Sequence, residues 1–268
     1  MRIANAPVSY GAFELTVGVV TNVPGPEDVL DAIAAAGYEG TELGPLGYFG
    51  DAPTLRWRLE RHGLQLAGAF IELRFGDGDF SPLDATLDLL EQVPAMPVLA
   101  DKGPRDGEVD LDGVALAVDQ ARGRSLEPVF HHHMGTRVQT PPEIERLLEH
   151  TDVALLLDTG HLAAAGGDPV SALSDWRDRV RHVHLKDVRL DVLQGATAWD
   201  EAWREGAFCE LGAGDVDLEG FLSQLKESGY DGWLVVEQDW VPGPDDDPVP
   251  QIEAQARNRR WLADHAGL

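Results

Sequence analysis

Cysteine is almost missing: Cys209 is the only one in 268 residues, so no disulfide can form within the chain. That fits a reducing compartment, and a cytoplasmic protein is expected. A lone thiol of this kind reads as a bystander rather than a nucleophile. Positive charge is scarce too. Lys and Arg number 21 against 47 Asp and Glu, a formal net charge of −26. Nucleic-acid affinity comes largely from Lys and Arg neutralising phosphates, so this balance speaks against a nucleic-acid partner. It speaks equally against an anionic membrane surface, and its general meaning is solubility or a salty habitat. No apolar run approaches the ~18 residues of a membrane span, and no charged-then-apolar leader is seen. Nucleotide and acyl-transfer motifs are also lacking: there is no G-x-G-x-x-G opening a helix, no P-loop and no G-x-S-x-G. The tract Gly212-Ala-Gly-Asp215 is too loose for a nucleotide-binding loop.

What is present is a regular alternation. Strand-like runs are predicted at Glu14–Val20, Tyr38–Leu43, Leu64–Glu72, Met96–Ala100, Glu127–His133, Val153–Asp158, Val180–Lys186 and Gly232–Gln238. Amphipathic stretches lie between them: Glu27–Ala36, Thr54–Arg61, Pro82–Gln92, Leu111–Arg122, Pro142–His150, Pro169–Asp178, Leu218–Ser228 and Pro250–His265. The fourth strand is crowded by Pro94 and Pro97. Gly37, Gly63, Gly123 and Gly229 follow helical runs, as C-terminal caps do. Strand–helix units repeated without a linker predict a parallel sheet. At 268 residues, a single-domain (β/α)8 TIM barrel over residues 1–268 is favoured over an open sheet. The long segment Val188–Asp217 has the length of a lid or binding loop.

In such barrels chemistry gathers where strands end. Side chains alternate along a strand. In Arg181-His-Val-His-Leu-Lys-Asp187, His182, His184 and Lys186 share the face predicted to line the barrel. His131 and His133 share a face of the fifth strand, Asp158 ends the sixth, and Glu237 lies near the end of the eighth. Consecutive strands therefore deliver His131, Asp158, His184 and Glu237 to one rim. Two imidazoles and two carboxylates suit one divalent transition metal, Mn or Co before Zn, Fe or Mg, and suit Ca poorly. Simpler readings stand beside this. Asp158 can cap the following helix, Glu237 can pair with an arginine, and His132 points away towards a helix or solvent. Lys186 is the predicted proton carrier, with a pKa depressed towards neutrality. Alternatively it forms a salt bridge with Asp158 or Asp187. Glu42 and Glu72 lie near the ends of the second and third strands and can reach the same mouth.

At these residues the chain resembles the sugar phosphate isomerase/epimerase superfamily, the xylose isomerase-like barrels. Within it the likeness is to the branch that dehydrates 2-keto-myo-inositol (inosose). The carrying motifs are His131-His-His-Met-Gly-Thr-Arg-Val-Gln-Thr140, Leu157-Asp-Thr-Gly-His161, His182-Val-His-Leu-Lys-Asp-Val188 and Gly229-Tyr-Asp-Gly-Trp-Leu-Val-Val-Glu237. The resemblance is dense from Glu127 to Glu237 and looser before. It implies metal ligands at His131, Asp158, His184 and Glu237, with His131 or His133 as the fifth-strand ligand. Around that metal, Lys186, His161 and Glu72 are the expected catalytic groups, and Glu42, His133 and His182 the expected substrate contacts. The implied reaction is dehydration of a small keto-polyol after abstraction of a proton α to the carbonyl. A keto-sugar isomerase or epimerase is the alternative, and a homo-oligomer is compatible with either.

Overall fold

Strands and helices alternate throughout the computed structural model, which describes residues 1–268. The strands are β1 (Arg2–Asn5), β2 (Gly40–Thr41), β3 (Gln65–Leu66), β4 (Gly68–Leu73), β5 (Met96–Asp101), β6 (Val129–His131), β7 (Ala154–Asp158), β8 (Val180–Leu185), β9 (Asp187–Val188), β10 (Phe208–Cys209) and β11 (Trp233–Val236). The helices are α1 (Pro26–Ala36), α2 (Ala52–His62), α3 (Ser81–Leu90), α4 (Leu111–Gly123), α5 (Pro141–His150), α6 (Thr159–Ala164), α7 (Pro169–Trp176), α8 (Leu190–Gly195), α9 (Trp199–Arg204), α10 (Leu218–Glu227) and α11 (Val249–Ala266). Hydrogen bonding runs in the order β3-β2-β1-β11-β8-β7-β6-β5-β4. β3 and β4 are two halves of one run broken at Ala67, whose N–H still donates to Thr41 O at 2.8 Å. That run pairs in parallel with β2 on one side and β5 on the other, so a barrel of eight strands closes.

Local chemistry explains where helices begin and end. Asp51, Asp110, Asp158, Asp168 and Asp217 each accept a backbone N–H of the first turn, satisfying donors that a helix leaves free. α1 and α2 stop at Gly37 (φ 88°) and Gly63 (φ 68°), left-handed positions that glycine adopts without penalty. Gly123 differs from expectation: it is the last residue of α4, and the left-handed residue there is Ser125 (φ 61°).

Burial divides into two shells. Outward residues of the strands, such as Leu155, Leu157, Val183, Leu185, Leu234 and Val236, pack against helix residues such as Ile144, Leu147, Phe221 and Leu225. Each such side chain contributes about 1.5–3 kcal/mol when buried. Inside the barrel, Val98, Val129 and Leu156 form one apolar layer, and Ala4, Ala6, Ala67, Trp233 and Val235 another. A Cβ on Gly40 would come within 2.7 Å of the Trp233 ring, so glycine there makes room for the indole. With the lumen filled by these layers, the polar residues that follow on the same faces (His131, Asp158, Glu237) fall at the strand ends.

The first strand departs from expectation. Glu14–Val20 is a series of turns, and the strand is the short Arg2–Asn5 segment, paired with β11 and β2. The Thr16 hydroxyl donates to Gly11 O at 2.5 Å and accepts from Phe13 N at 3.1 Å, curling the segment back on itself. Leu15 and Val19 are 69% and 74% exposed, so their alternation reflects no sheet face. No helix is long and apolar enough to cross a membrane.

Candidate active site

The strand ends open into a cavity of about 380 Å³ whose walls include Glu42, His131, His133, His184, Lys186, Glu237 and Asp239. Asp158 lies beneath them, fully buried, with its two oxygens divided between tasks. Oδ1 accepts from His161 N at 2.8 Å and caps α6. Oδ2 faces His161 Nδ1 (3.0 Å), Lys186 Nζ (3.1 Å), His131 Nε2 (3.4 Å) and His184 Nδ1 (3.7 Å). Burial works against this carboxylate, but His161 and Lys186 outweigh it and hold its pKa well below the ordinary range.

Lys186 is the hub. Its Nζ lies 2.9 Å from Asp239 Oδ2, 3.0 Å from Glu237 Oε2 and 3.1 Å from Asp158 Oδ2. Burial would favour the neutral amine, yet Asp158, Asp239 and Glu237 together raise the pKa above that of a free lysine. His161 bridges two of the same acids, with Nδ1 towards Asp158 and Nε2 3.4 Å from Asp239. Burial pulls its pKa down, but the Asp158 charge overcomes this and raises it above that of a free imidazole.

A second cluster sits alongside. Glu42 Oε1 accepts from His182 Nε2 at 2.9 Å and from His184 Nε2 at 3.0 Å. Glycine at 68 makes this possible, because a Cβ there would come 2.9 Å from Glu42 Oε1. With Nε2 engaged by Glu42, His184 turns Nδ1 towards Glu237 Oε2 at 3.0 Å. Burial opposes the charge on His184, but Glu237 and Glu42 push its pKa well up.

Two trios have ligand atoms all within 4.8 Å of one another: His131, Asp158 and His184, and Glu42, His182 and His184. The first has the better donor set for a cation. Asp158 Oδ2 and His184 Nδ1 are buried and make no well-aligned hydrogen bond, only the close charge contacts already described, to His161 and Lys186 for the one and to Glu237 for the other. A cation between them would give both atoms a directed partner. The Glu42 oxygen, in contrast, already accepts two hydrogen bonds. A histidine that donates one ring N–H to a carboxylate and offers the other nitrogen is the usual arrangement of a metal-bound imidazole.

This barrel and rim have counterparts. The family profile described as Xylose isomerase-like TIM barrel matches residues 107–265. The chain belongs to that family. It is 33% identical over 273 residues to the inosose dehydratase of Clostridium beijerinckii, covering 90% of each chain. It is 36% identical over 250 residues to the rhizopine catabolism protein MocC of Rhizobium meliloti, covering 81% of this chain and 75% of that one. Among solved structures, the IolI protein with a bound zinc atom superposes with a TM-score of 0.76 at 14% identity, over 100% of both chains.

Within that family fold, several residues lie where the alternation of strand faces predicts and others do not. His182, expected to contact substrate, is fully buried, is absent from the cavity wall and hydrogen-bonds Glu42. His132 does not reach solvent: its Nε2 accepts from the N–H of Asp158, the residue that caps α6, at 3.1 Å and ties β6 to the end of β7. Glu72 does line the cavity, but its carboxylate pairs with Lys102 at 2.6 Å. Lys186 is not depressed towards neutrality, because three acids surround it. Asp187 does not pair with Lys186. It accepts from the N–H groups of Val188, Gly212, Gly214 and Val216, so the glycine tract wraps an internal carboxylate. His133 lines the cavity with its Nδ1–H donating to Met134 O at 2.9 Å, which leaves Nε2 as an acceptor. Burial lowers its pKa to about 3, so the ring is neutral.

Sequence reasoning missed Asp239. The signal is present, since Val235, Glu237 and Asp239 alternate, but the run predicted as the strand ends at Gln238. Gln238 itself points outward and is gripped from behind. Its N–H donates to Ser9 Oγ at 3.0 Å, and its Oε1 accepts from Gln255 and Asn258 of α11, each at 3.2 Å. That clamp holds Glu237 and Asp239 inward. The segment after β8 also has structure: β9 pairs antiparallel with β10, and α8 and α9 lie between them.

Proposed function

We propose that the protein is a divalent-metal-dependent lyase that removes water from a keto-polyol of the inosose type. The observation that carries this reading is the likeness, along nine-tenths of both chains, to a protein named inosose dehydratase. The rim geometry supports it. His131, Asp158, His184 and Glu237 would hold one metal ion, with Mn or Co as the first metals to try. His131 rather than His133 supplies the fifth-strand ligand, because its Nε2 faces Asp158 Oδ2 while His133 is turned to Met134 O. Bound there, a divalent cation would polarise a substrate carbonyl and ease loss of the neighbouring proton.

The chain's own groups supply the rest. Lys186 Nζ, held protonated by Asp158, Glu237 and Asp239, is a ready acid for a departing hydroxyl. His161 touches both Asp158 and Asp239 and can return a proton to the amine, from which its Nε2 is 3.3 Å away. His133 Nε2, unprotonated on the cavity wall, accepts a hydrogen bond from a substrate hydroxyl, and a rim carboxylate takes the α-proton. Glu42 orients His184 through its Nε2. The cavity offers few free cations: Lys102 is taken by Glu72 and Lys186 by the acids. A neutral substrate suits it better than a phosphorylated one.

The test is elemental analysis of the purified protein, then NMR of 2-keto-myo-inositol incubated in D2O with added Mn or Co. Stoichiometric metal and loss of water to a diketone are expected. Exchange of the α-proton without water loss would replace the lyase with an isomerase or epimerase. Absence of metal after reconstitution would remove the ligand set and the mechanism with it.

A further inference from the structure

The polar groups of the cavity come from strand ends, but part of its wall is of a different kind. Phe13, Trp199 and Trp203 all line it. Trp199 stacks on Trp203 with ring centres 5.3 Å apart and planes 8° from parallel. Trp203 in turn meets Phe13 at 5.3 Å and 41°. The three rings form one row running from the loop after β1 to α9. The row is seated with care. Gly135 has φ +79°, and a Cβ there would come 2.8 Å from Trp199 Nε1, so only glycine lets the indole settle beside the strand-end histidines. His133 meets Trp199 edge-on at 6.3 Å and 85°.

An aromatic row facing a small polar cavity has a known chemical partner: the C–H face of a saturated ring. Such a face is weakly positive at its hydrogens and apolar, and it matches the negative face of an indole. An axial hydroxyl on that face breaks the contact and buries an oxygen without a partner. We propose that Trp199, backed by Trp203 and Phe13, selects cyclic polyols that present a face free of axial hydroxyls. This rests on the cavity being the polyol site proposed above. It names which ring shapes enter that site, which neither the metal ligands nor Lys186 decide.

The experiment compares binding of two unreactive inositols to the metal-loaded protein by titration calorimetry. In scyllo-inositol every hydroxyl is equatorial and both faces are bare. In D-chiro-inositol each face carries one axial hydroxyl. We expect scyllo-inositol to bind about fivefold or more tightly, a ratio that falls below about twofold in Trp199→Ala and returns in Trp199→Phe. Rescue by phenylalanine separates ring stacking from simple support of the loop. An unchanged ratio in Trp199→Ala, equal affinities in the native protein, or no binding of either inositol overturns the proposal. Turnover of 2-keto-myo-inositol is followed in parallel. Equal affinities in the native protein with intact turnover sink the aromatic wall alone, whereas discrimination by the native protein without turnover sinks the lyase reading and leaves the wall standing.

Discussion

The two halves of the barrel use the same architecture for different ends. From β6 to β11 the inward residues change from apolar to ionisable as each strand ends: Val129 to His131, Leu156 to Asp158, Val235 to Glu237. At the corresponding strand ends from β1 to β5 stand Ala6, Glu42, Glu72 and Ala100, two small and two acidic. Only Glu42 reaches in from that half to touch the cluster, and it does so through His182 and His184. The family profile covers the first of these halves, residues 107–265. One half therefore concentrates the ionisable cluster to which the proposed cation and proton chemistry is assigned, and the other mainly supplies wall and volume. Burying so many acids in one place is costly unless cations meet them, so the charge cannot be spread evenly round the rim.

That contrast can be broken most sharply at Asp158. Asp158→Ala removes a proposed metal ligand, a helix cap and a partner of Lys186 at once. We expect metal content to fall to background and turnover to drop by about 10⁴-fold or more, with several kcal/mol of stability lost in thermal melts. Retained stoichiometric metal would erase the distinction between the halves. Lys186→Met should keep the metal but lower kcat by about 10²–10⁴-fold with little change in KM, as loss of a positioned acid does. A change confined to KM would make Lys186 a binding residue only. Asp239→Asn keeps the shape and removes one of three charges around the amine, so a loss of about 10- to 100-fold in kcat is expected. On the opposite wall, Glu72→Gln should change kcat/KM by less than about tenfold, since Glu72 is occupied by Lys102. A larger loss would return Glu72 to the catalytic set and blur the two halves.

The smallest effect concerns Cys209. It is buried, and burial first, then the nearby Asp187 charge, raises its pKa to about 12. A raised pKa means that the reactive thiolate stays scarce well above neutrality. Maleimide or iodoacetamide between pH 7 and 9 should leave the folded protein unlabelled and fully active, and label it in denaturant. Rapid labelling of the native protein would show that the β9–β10 segment opens.

Much of this was legible in the residues. Alternation of apolar runs with amphipathic ones predicted the barrel, because a strand buried on both faces and a half-buried helix carry different periods. The period of two along a strand brought His131, Asp158, His184 and Glu237 to one rim. It failed at Glu14–Val20, where an alternating run is curled by the Thr16 hydroxyl and by Gly18, which has φ +77°. It stopped one residue short of Asp239, because the last residues of a strand carry no apolar partner to extend the pattern.

What the sequence determined by itself is the barrel, the inward face of each strand and the chemical types at its end. Those follow from local periodicity and need no partner. Tertiary structure alone decided how those groups are charged and shared. Lys186 keeps its proton because Asp158, Glu237 and Asp239, distant in the chain, converge on one nitrogen. His182 is tied to Glu42, and His184 turns its Nδ1 to Glu237, because Glu42, 140 positions from one and 142 from the other, takes one nitrogen of each. A proton's affinity is set by the sum of nearby charges and by the loss of water. Neither quantity is written in the order of residues until the chain has closed.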